Sequence, residues 1–150
     1  MIKIIVAMNN HRTIGLNGSM PWHNKEDLQH FRKSTLNQKV VMGRKTFEGL
    51  PKKLDNREIY VVTRNASIEN AIPDLRAFLM QHKESSEDIF IAGGGEIYAQ
   101  SLPFAHELII SYIPNDVIGD TFFPDFSDLE FKIKNQVEYS TFKQVTYERI

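Results

Sequence analysis

The chain reads as an α/β protein built on a mostly parallel sheet, and three observations predict this. Short, near-continuous apolar runs recur at residues 2–8, 40–42, 59–62, 89–92 and 108–113, as in strands covered on both faces. Between the third and fourth runs, Leu75, Phe78, Leu79 and His82 follow the i, i+3, i+4, i+7 spacing of a helix with one apolar face, and Pro73 suits its first turn. Strand alternating with helix implies parallel neighbours. The end of the chain differs: residues 131–139 and 141–150 read as two extended segments joined by a very short turn around Ser140, which predicts an antiparallel hairpin at one edge of the sheet.

Taken in chain order, each element has a local reason. Residues 1–7 are too short and too soon polar for a signal peptide or a membrane span, so they are read as a buried first strand. An irregular stretch over residues 9–23 follows, and Asn24 is a good N-cap for a helix that carries Asp27, Leu28 and Phe31. The second strand runs into Gly43-Arg44-Lys45-Thr46 and the third into Thr63-Arg64, while the fourth ends on Gly93-Gly94-Gly95 with a helix beginning near Glu96. A second irregular stretch, residues 114–126, leads from the fifth strand to the hairpin. Loops of that length in a small protein are more often functional than idle.

At 150 residues the chain is expected to form a single domain over residues 1–150, with one core and one cleft. Its 18 Lys and Arg nearly balance 19 Asp and Glu, for a formal net charge of -1, which argues against a nucleic-acid partner or an acidic membrane surface and leaves any anion site local. The absence of cysteine excludes disulfides, thiolate nucleophiles and cysteine-ligated metals, and it fits a reducing, cytoplasmic compartment. His11, His23, His30, His82 and His106 show no paired metal-ligand spacing, so no metal site is expected. Ser19, Ser34 and Ser111 lack the context of a hydrolase nucleophile.

In an open α/β sheet, ligands bind beyond the carboxyl ends of the strands, so the two basic turns and the glycine turn should share one rim. Gly93, Gly94 and Gly95 let backbone approach a ligand, and a helix starting near Glu96 would direct free amide donors at a phosphate. Taken alone, the triple glycine is equally a tight strand-to-helix turn. It is not a regular GxGxxG, since Tyr98 stands where the last glycine would be, and Gly43-Arg44-Lys45-Thr46 lacks the ending of a P-loop. Arg44 and Arg64 are either solvated surface charges or, sharing the rim, a pair that meets the 2′-phosphate of NADPH and sets its preference over NADH.

Asp27 has two readings that the local pattern leaves equal. Three residues after Asn24, its carboxylate can bond back to the cap in a capping box, or it can be an active-site acid. With Leu28 beside it and Phe31 one turn on, it lies on the helix face expected to meet the core, where burial raises a carboxyl pKa unless a ligand supplies hydrogen bonds. Glu26 is better placed to serve solvent. An acid so walled suits a flat nitrogen heterocycle. Pro21 and Trp22 anchor a loop end under either reading, and Met20 serves as a gap filler or faces the site.

Several stretches together carry a family likeness. They are Ile14-Gly15, Met20-Pro21-Trp22, Asp27-Leu28, Phe31, Val41-Met42-Gly43-Arg44-Lys45-Thr46-Phe47, Arg57, Gly93-Gly94-Gly95-Glu96-Ile97-Tyr98 and Gly119-Asp120-Thr121-Phe122-Phe123-Pro124. In their order and spacing the chain resembles dihydrofolate reductases of the bacterial, stand-alone chromosomal type, over essentially its whole length. The resemblance implies an eight-stranded, mainly parallel sheet with flanking helices. It also implies an NADPH-dependent oxidoreductase that reduces dihydrofolate to tetrahydrofolate for one-carbon metabolism.

Carried onto this sequence, the resemblance has Asp27 bond the pterin edge and favour protonation of the ring nitrogen beside the carbon being reduced, with the proton arriving through water near Met20 and Trp22. Ile5, Val6, Ala7, Leu28, Phe31, Leu50 and Leu54 would line the pterin and benzoyl pocket, with Lys52 and Ala92 also on the substrate side. Arg57 would clamp the glutamate carboxylate, and Ser111 sits where the family commonly has a threonine bonded to the acid. The cofactor side is implied to include Ala7 from the first strand, Ile14, Gly15, Gly18 and Ser19 from the first loop, and Gly43, Arg44, Lys45 and Thr46 from the first basic turn. Val62, Thr63 and Arg64 follow from the second basic turn, then Gly93, Gly94, Gly95, Glu96, Ile97 and Tyr98 from the glycine turn and its helix, and Thr121 beyond. Tyr98 would flank the nicotinamide, and the Gly93-Gly94 peptide is expected to be cis, a geometry tolerated at functional turns. Expected partners are dihydrofolate and antifolates such as trimethoprim or methotrexate, with no nucleic acid and no membrane, and the expected state is a monomer.

Three departures from the family pattern stand out. Ala92 is smaller than the bulky residue usual before the glycines, which loosens the pocket at the nicotinamide edge. Ser111 keeps the hydroxyl but loses a methyl, so its rotamer is less constrained. The tight turn at Ser140 replaces a longer loop that, in some members, contacts the residue matching His23 when the active-site loop swings away, and so removes the ground for expecting that state here. An Asp120 contact to the loop is still expected, with loop closure gating turnover. Two rival readings accompany this one: a related pterin or riboflavin-precursor reductase, which needs neither Asp27 nor Arg57, and a non-catalytic nucleotide-binding module, which has no use for a buried acid.

Overall fold

The apolar runs become the strands of one eight-stranded sheet in a computed structural model, which describes residues 1–50 and 56–150. In chain order the elements are β1 (Ile2–Met8), β2 (Thr13–Gly15), α1 (Lys25–Ser34), β3 (Lys39–Gly43), α2 (Arg44–Glu48), β4 (Glu58–Val62) and β5 (Ala71–Ile72). They continue with α3 (Leu75–His82), β6 (Ile89–Ile91), α4 (Gly95–Ser101), β7 (Glu107–Tyr112), β8 (Thr121–Phe122), β9 (Phe131–Glu138) and β10 (Lys143–Arg149). The sheet order is β5-β4-β3-β6-β1-β7-β10-β9. All pairings from β5 through β7 are parallel, and β10 runs antiparallel to both β7 and β9.

Burial explains why the central runs are apolar throughout. Ile4, Val41, Ile91, Leu108 and Ile110 turn to one face, where Leu75 and Leu79 of α3 and Ile97 and Tyr98 of α4 cover them. Ile5, Val40, Met42 and Phe90 turn to the other, against Phe31 of α1 and Leu50. Strands buried on both faces leave no room for alternating polar residues. Helix α3 follows the expected spacing and buries Leu75 and Leu79, with Asp74 as N-cap accepting from the Ala77 amide at 3.1 Å. Pro73 therefore lies just outside the helix rather than in its first turn, because Asp74 supplies the capping oxygen.

The C-terminal hairpin forms as expected, closed by Tyr139 N–H donating to the Phe142 carbonyl at 2.8 Å. Both stretches read as irregular contain a short strand: β2 and β8 pair antiparallel in a small second sheet, with Thr13 opposite Phe122. Strands of two or three residues carry no periodicity, which also hid β5. No helix among the described residues is long and apolar enough to cross a membrane.

Candidate active site

The carboxyl ends of β1, β3, β6 and β7 open on a cleft of about 490 Å³. Its floor is the glycine turn. The Gly43 amide donates to the Gly93 carbonyl at 2.8 Å, so the turns after β3 and β6 meet on one rim as the strand-end argument required. Gly93 holds φ +109°, the Gly93-Gly94 peptide is cis, and a Cβ on Gly93 would stand 3.2 Å from the Tyr98 ring. A Cβ on Gly95 would stand 3.0 Å from Thr121 Cγ2. The turn is thus a cradle of bare backbone, packed so closely on Tyr98 and Thr121 that side chains have little room. Below it Tyr98 is buried and its hydroxyl donates to the Ile5 carbonyl at 2.8 Å, while burial pushes the phenol pKa well up and the nearby Asp27 charge adds to the rise.

The helix α1 brings the acid. Asn24 Oδ1 accepts the Asp27 amide at 2.9 Å, so the cap is supplied by Asn24 and the Asp27 carboxylate is left to face the cleft. Burial raises its pKa, opposed by hydrogen bonding from the Ser111 hydroxyl and by the charge of His30. The face carrying Leu28 and Phe31 meets the core only in part: Phe31 packs on the cluster of Ile5, Val40, Met42 and Phe90, and the rest of the face borders the cleft. None of the residues of α1 is fully buried and Leu28 stays 38% exposed, because this face walls an open cleft. Glu26 is not simply solvent-facing either, since its carboxylate accepts from the Thr141 amide at 2.9 Å and the Thr141 hydroxyl at 2.7 Å, and these bonds lower its pKa. Thr141 also meets Asn24, so the short hairpin turn reaches the residues just after His23.

The loop before α1 is tied across the cleft. Asn17 N–H donates to Asp120 Oδ2 at 3.0 Å and the Asp120 amide donates to the Gly15 carbonyl at 3.0 Å, so the expected Asp120 contact is present. The bond from Asn17, with one from Thr121, holds the Asp120 carboxyl below the usual range.

Most residues singled out from the sequence line this cleft. On the substrate side these are Ile5, Val6, Ala7, Asp27, Leu28, Phe31, Leu50, Ala92 and Ser111, with Met20 from the loop. On the cofactor side they are Ile14, Gly15, Gly18, Ser19, Lys45, Thr46, Gly93, Gly94, Gly95, Tyr98 and Thr121. Others are not part of its wall. Gly43 stands one step behind as the N-cap of α2, Ile97 is buried beneath α4, and Trp22, Val62, Thr63 and Glu96 lie off the lining. Arg44 is exposed and pairs with Glu48 at 2.7 Å, and Arg64 is also exposed. Arg57 donates to the Arg32 carbonyl and to Thr35 Oγ1 at 3.2 Å, and it lines a neighbouring groove that shares Leu50 with the cleft. Lys52 and Leu54 lie outside the described residues.

Sequence reasoning missed Met42, Gly49 and Gln144, which also line the cleft. Gln144 faces Ser111 across the β7–β10 register, a pairing that no local pattern reveals. Among the described residues no group of three or more His, Asp or Glu is arranged to hold a metal ion.

Sheet and cleft together define the α/β proteins that bind their ligands at strand carboxyl ends. Comparison gives the family: the model of the dihydrofolate reductase family matches residues 1–149, and the chain belongs to that family of oxidoreductases. It is 38% identical over 145 residues to dihydrofolate reductase type 3 of Salmonella typhimurium, covering 94% of this chain and 87% of that one. It is 35% identical over 152 residues to the dihydrofolate reductase of Buchnera aphidicola subsp. Baizongia pistaciae, covering 97% and 93%. The fold superposes on a solved structure of dihydrofolate reductase from Enterococcus faecalis complexed with NADP(H) and RAB-propyl, with a TM-score of 0.86 at 26% identity over 99% of this chain and 96% of that one. An enzyme family sets aside the non-catalytic binding module.

Proposed function

We propose that the chain reduces 7,8-dihydrofolate to 5,6,7,8-tetrahydrofolate with NADPH, and that Asp27 promotes the protonation. The observation that carries this reading is an acid, raised in pKa by burial, set among apolar walls in the cleft that also holds the glycine turn. An ionised Asp27 accepts hydrogen bonds from the amidine-like edge of the pterin and so favours a proton on the ring nitrogen beside the carbon being reduced. Water beside Met20 and Trp22 delivers that proton. Ile5, Leu28, Phe31 and Leu50 hold the ring and benzoyl group out of solvent. Arg57, fixed by its bonds to the end of α1, meets the glutamate carboxylate beyond Leu50.

The residues present fit NADPH, since Gly93, Gly94 and Gly95 bring bare backbone to the cleft wall and Lys45, Thr46 and Ser19 line the cleft with them. When bound, NADPH supplies the hydride. Tyr98, fixed by its bond to Ile5, flanks the nicotinamide, while Arg44 and Arg64, at the ends of the neighbouring strands β3 and β4, take the 2′-phosphate. The same acid and apolar walls suit antifolates such as trimethoprim or methotrexate. The family likeness and the absence of cysteine favour a monomeric, cytoplasmic enzyme.

The test is Asp27→Asn. Hydride transfer should slow by about two to four orders of magnitude at neutral pH, with partial recovery in acid where the substrate arrives protonated. Unaltered turnover across pH would defeat the reading.

A further inference from the structure

The acid of the cleft does not act on its own hydrogen bonds alone. Ser111 on β7 accepts from the side chain of Gln144 on β10 and shares the cleft wall with the Asp27 carboxylate on α1, whose pKa its hydroxyl lowers. The antiparallel register sets Gln144 directly opposite Ser111, and all three side chains line the same cleft. Gln144 Nε2 donates to Ser111 Oγ at 3.4 Å, long for such a bond but along the wall of a half-buried site.

A serine hydroxyl has one proton and can also accept. An ionised Asp27 offers only acceptors, so the Ser111 proton is best used toward it, and the other partner of Ser111 Oγ must then be a donor. The amide NH2 of Gln144 is that donor. A residue offering no proton at this position would leave the hydroxyl free to turn away. Serine is especially open to this, since it lacks the second branch at Cβ that restricts a threonine rotamer.

We infer that Gln144 is a positioning residue: its amide holds the Ser111 hydroxyl so that the hydroxyl's proton points at the Asp27 carboxylate. The observed bond from Gln144 to Ser111 leaves the hydroxyl proton for Asp27, and this orientation stabilises the ionised acid against the burial that disfavours it. The other groups bearing on Asp27 are His30, one turn along its own helix, whose charge acts in the same sense, and Tyr98 from α4, which interacts with the carboxylate electrostatically. Neither depends on Gln144.

The experiment is a titration of the Asp27 carboxyl by 13C NMR in the ligand-free protein, assigned by the signal lost in Asp27→Asn. Gln144→Met keeps the length of the side chain and removes the donor, and Gln144→Leu serves as a second variant on the strand. Each should raise the titration midpoint of Asp27 by about half a unit to one unit. Ser111→Ala should raise it at least as far, and adding Gln144→Met to Ser111→Ala should move it no further, because the donor acts through the hydroxyl. An unchanged midpoint in the folded Gln144 variants overturns the inference, as does a full additional rise in the double variant. The inference deepens the reading of Asp27 as the acid, yet the ligand-free titration is independent of turnover. If the midpoint moves as expected while the pH profile of hydride transfer does not follow, the role of Asp27 fails and the role of Gln144 stands.

Discussion

The cleft has two walls, and they are held in different ways. The sheet wall, made by the ends of β1, β3, β6 and β7, continues directly into strands whose central residues Ile4, Val41, Ile91 and Leu108 are wholly buried. The opposite wall is α1 and the loop before it, and α1 buries none of its residues fully. It is tied instead at its ends: Asn24 and Glu26 bond to Thr141, His30 lies over Tyr139 at 4.0 Å, and the Arg32 carbonyl accepts from Arg57. Polar ties at a surface contribute little to stability compared with buried apolar packing. Stability therefore resides in the wall that carries the glycine cradle, and the wall that carries the acid can change with little effect on folding.

The widest separation of the two walls should be seen with large-to-small substitutions. Ile91→Ala removes a wholly buried side chain at the centre of the sheet and should cost about 2 to 5 kcal/mol in denaturant unfolding. Leu28→Ala, on a side chain already 38% exposed, should cost less than about 1 kcal/mol while weakening dihydrofolate binding. Equal losses of stability in the two variants would erase the distinction.

A second substitution tests the ties of the loop. A Cβ on Gly119 would stand 2.1 Å from the Gly15 carbonyl oxygen and 2.6 Å from Thr13 Cγ2, closer than atoms can approach. Gly119→Ala must push β2 away, at about 1 to 3 kcal/mol for overpacking. Because β2 carries Ile14 and Gly15 to the cleft, NADPH affinity should fall, while dihydrofolate-side contacts to Leu28 and Phe31 persist. Isothermal titration of NADPH against wild type decides this, and unchanged affinity would show that the loop is placed independently of β8.

The same division explains what was legible in the sequence. The sheet wall was readable because a strand buried on both faces must be apolar throughout, and Gly43 and Gly93 had to follow such runs. The helical spacing of Leu75 and Leu79 was readable for the same reason, since both sink into the core. The loop wall was harder. The spacing of Leu28 and Phe31 looks like that of a core-facing helix, because a helix that walls a cleft needs the same apolar stripe as one that covers a core. Short strands such as β2 and β8 owe their existence to each other and to Asp120, contacts more than a hundred residues apart in sequence. Gln144 is the clearest case: a glutamine on an edge hairpin acquires meaning only from the register that sets it against Ser111.

The finest contrast lies within α1, between two neighbouring acids. Burial raises the pKa of Asp27, so folding favours its protonated form. Its contribution to stability is present below the unfolded pKa and is lost as pH rises through the higher folded value, leaving an ionised acid that costs stability at neutral pH. Glu26 has the opposite sign, because bonds from Thr141 lower its pKa. Its contribution is present above the unfolded pKa and is lost as pH falls through the lower folded value. Asp27→Asn should therefore raise the melting temperature at neutral pH, by an amount that shrinks on acidification toward the ordinary carboxyl range. Glu26→Gln should lower it slightly at neutral pH and have no effect in acid. Thermal unfolding of both variants beside wild type from neutral to acid pH distinguishes them, and a shift of the same sign in both would mean that the acid of the cleft is held by its surroundings as the surface acid is.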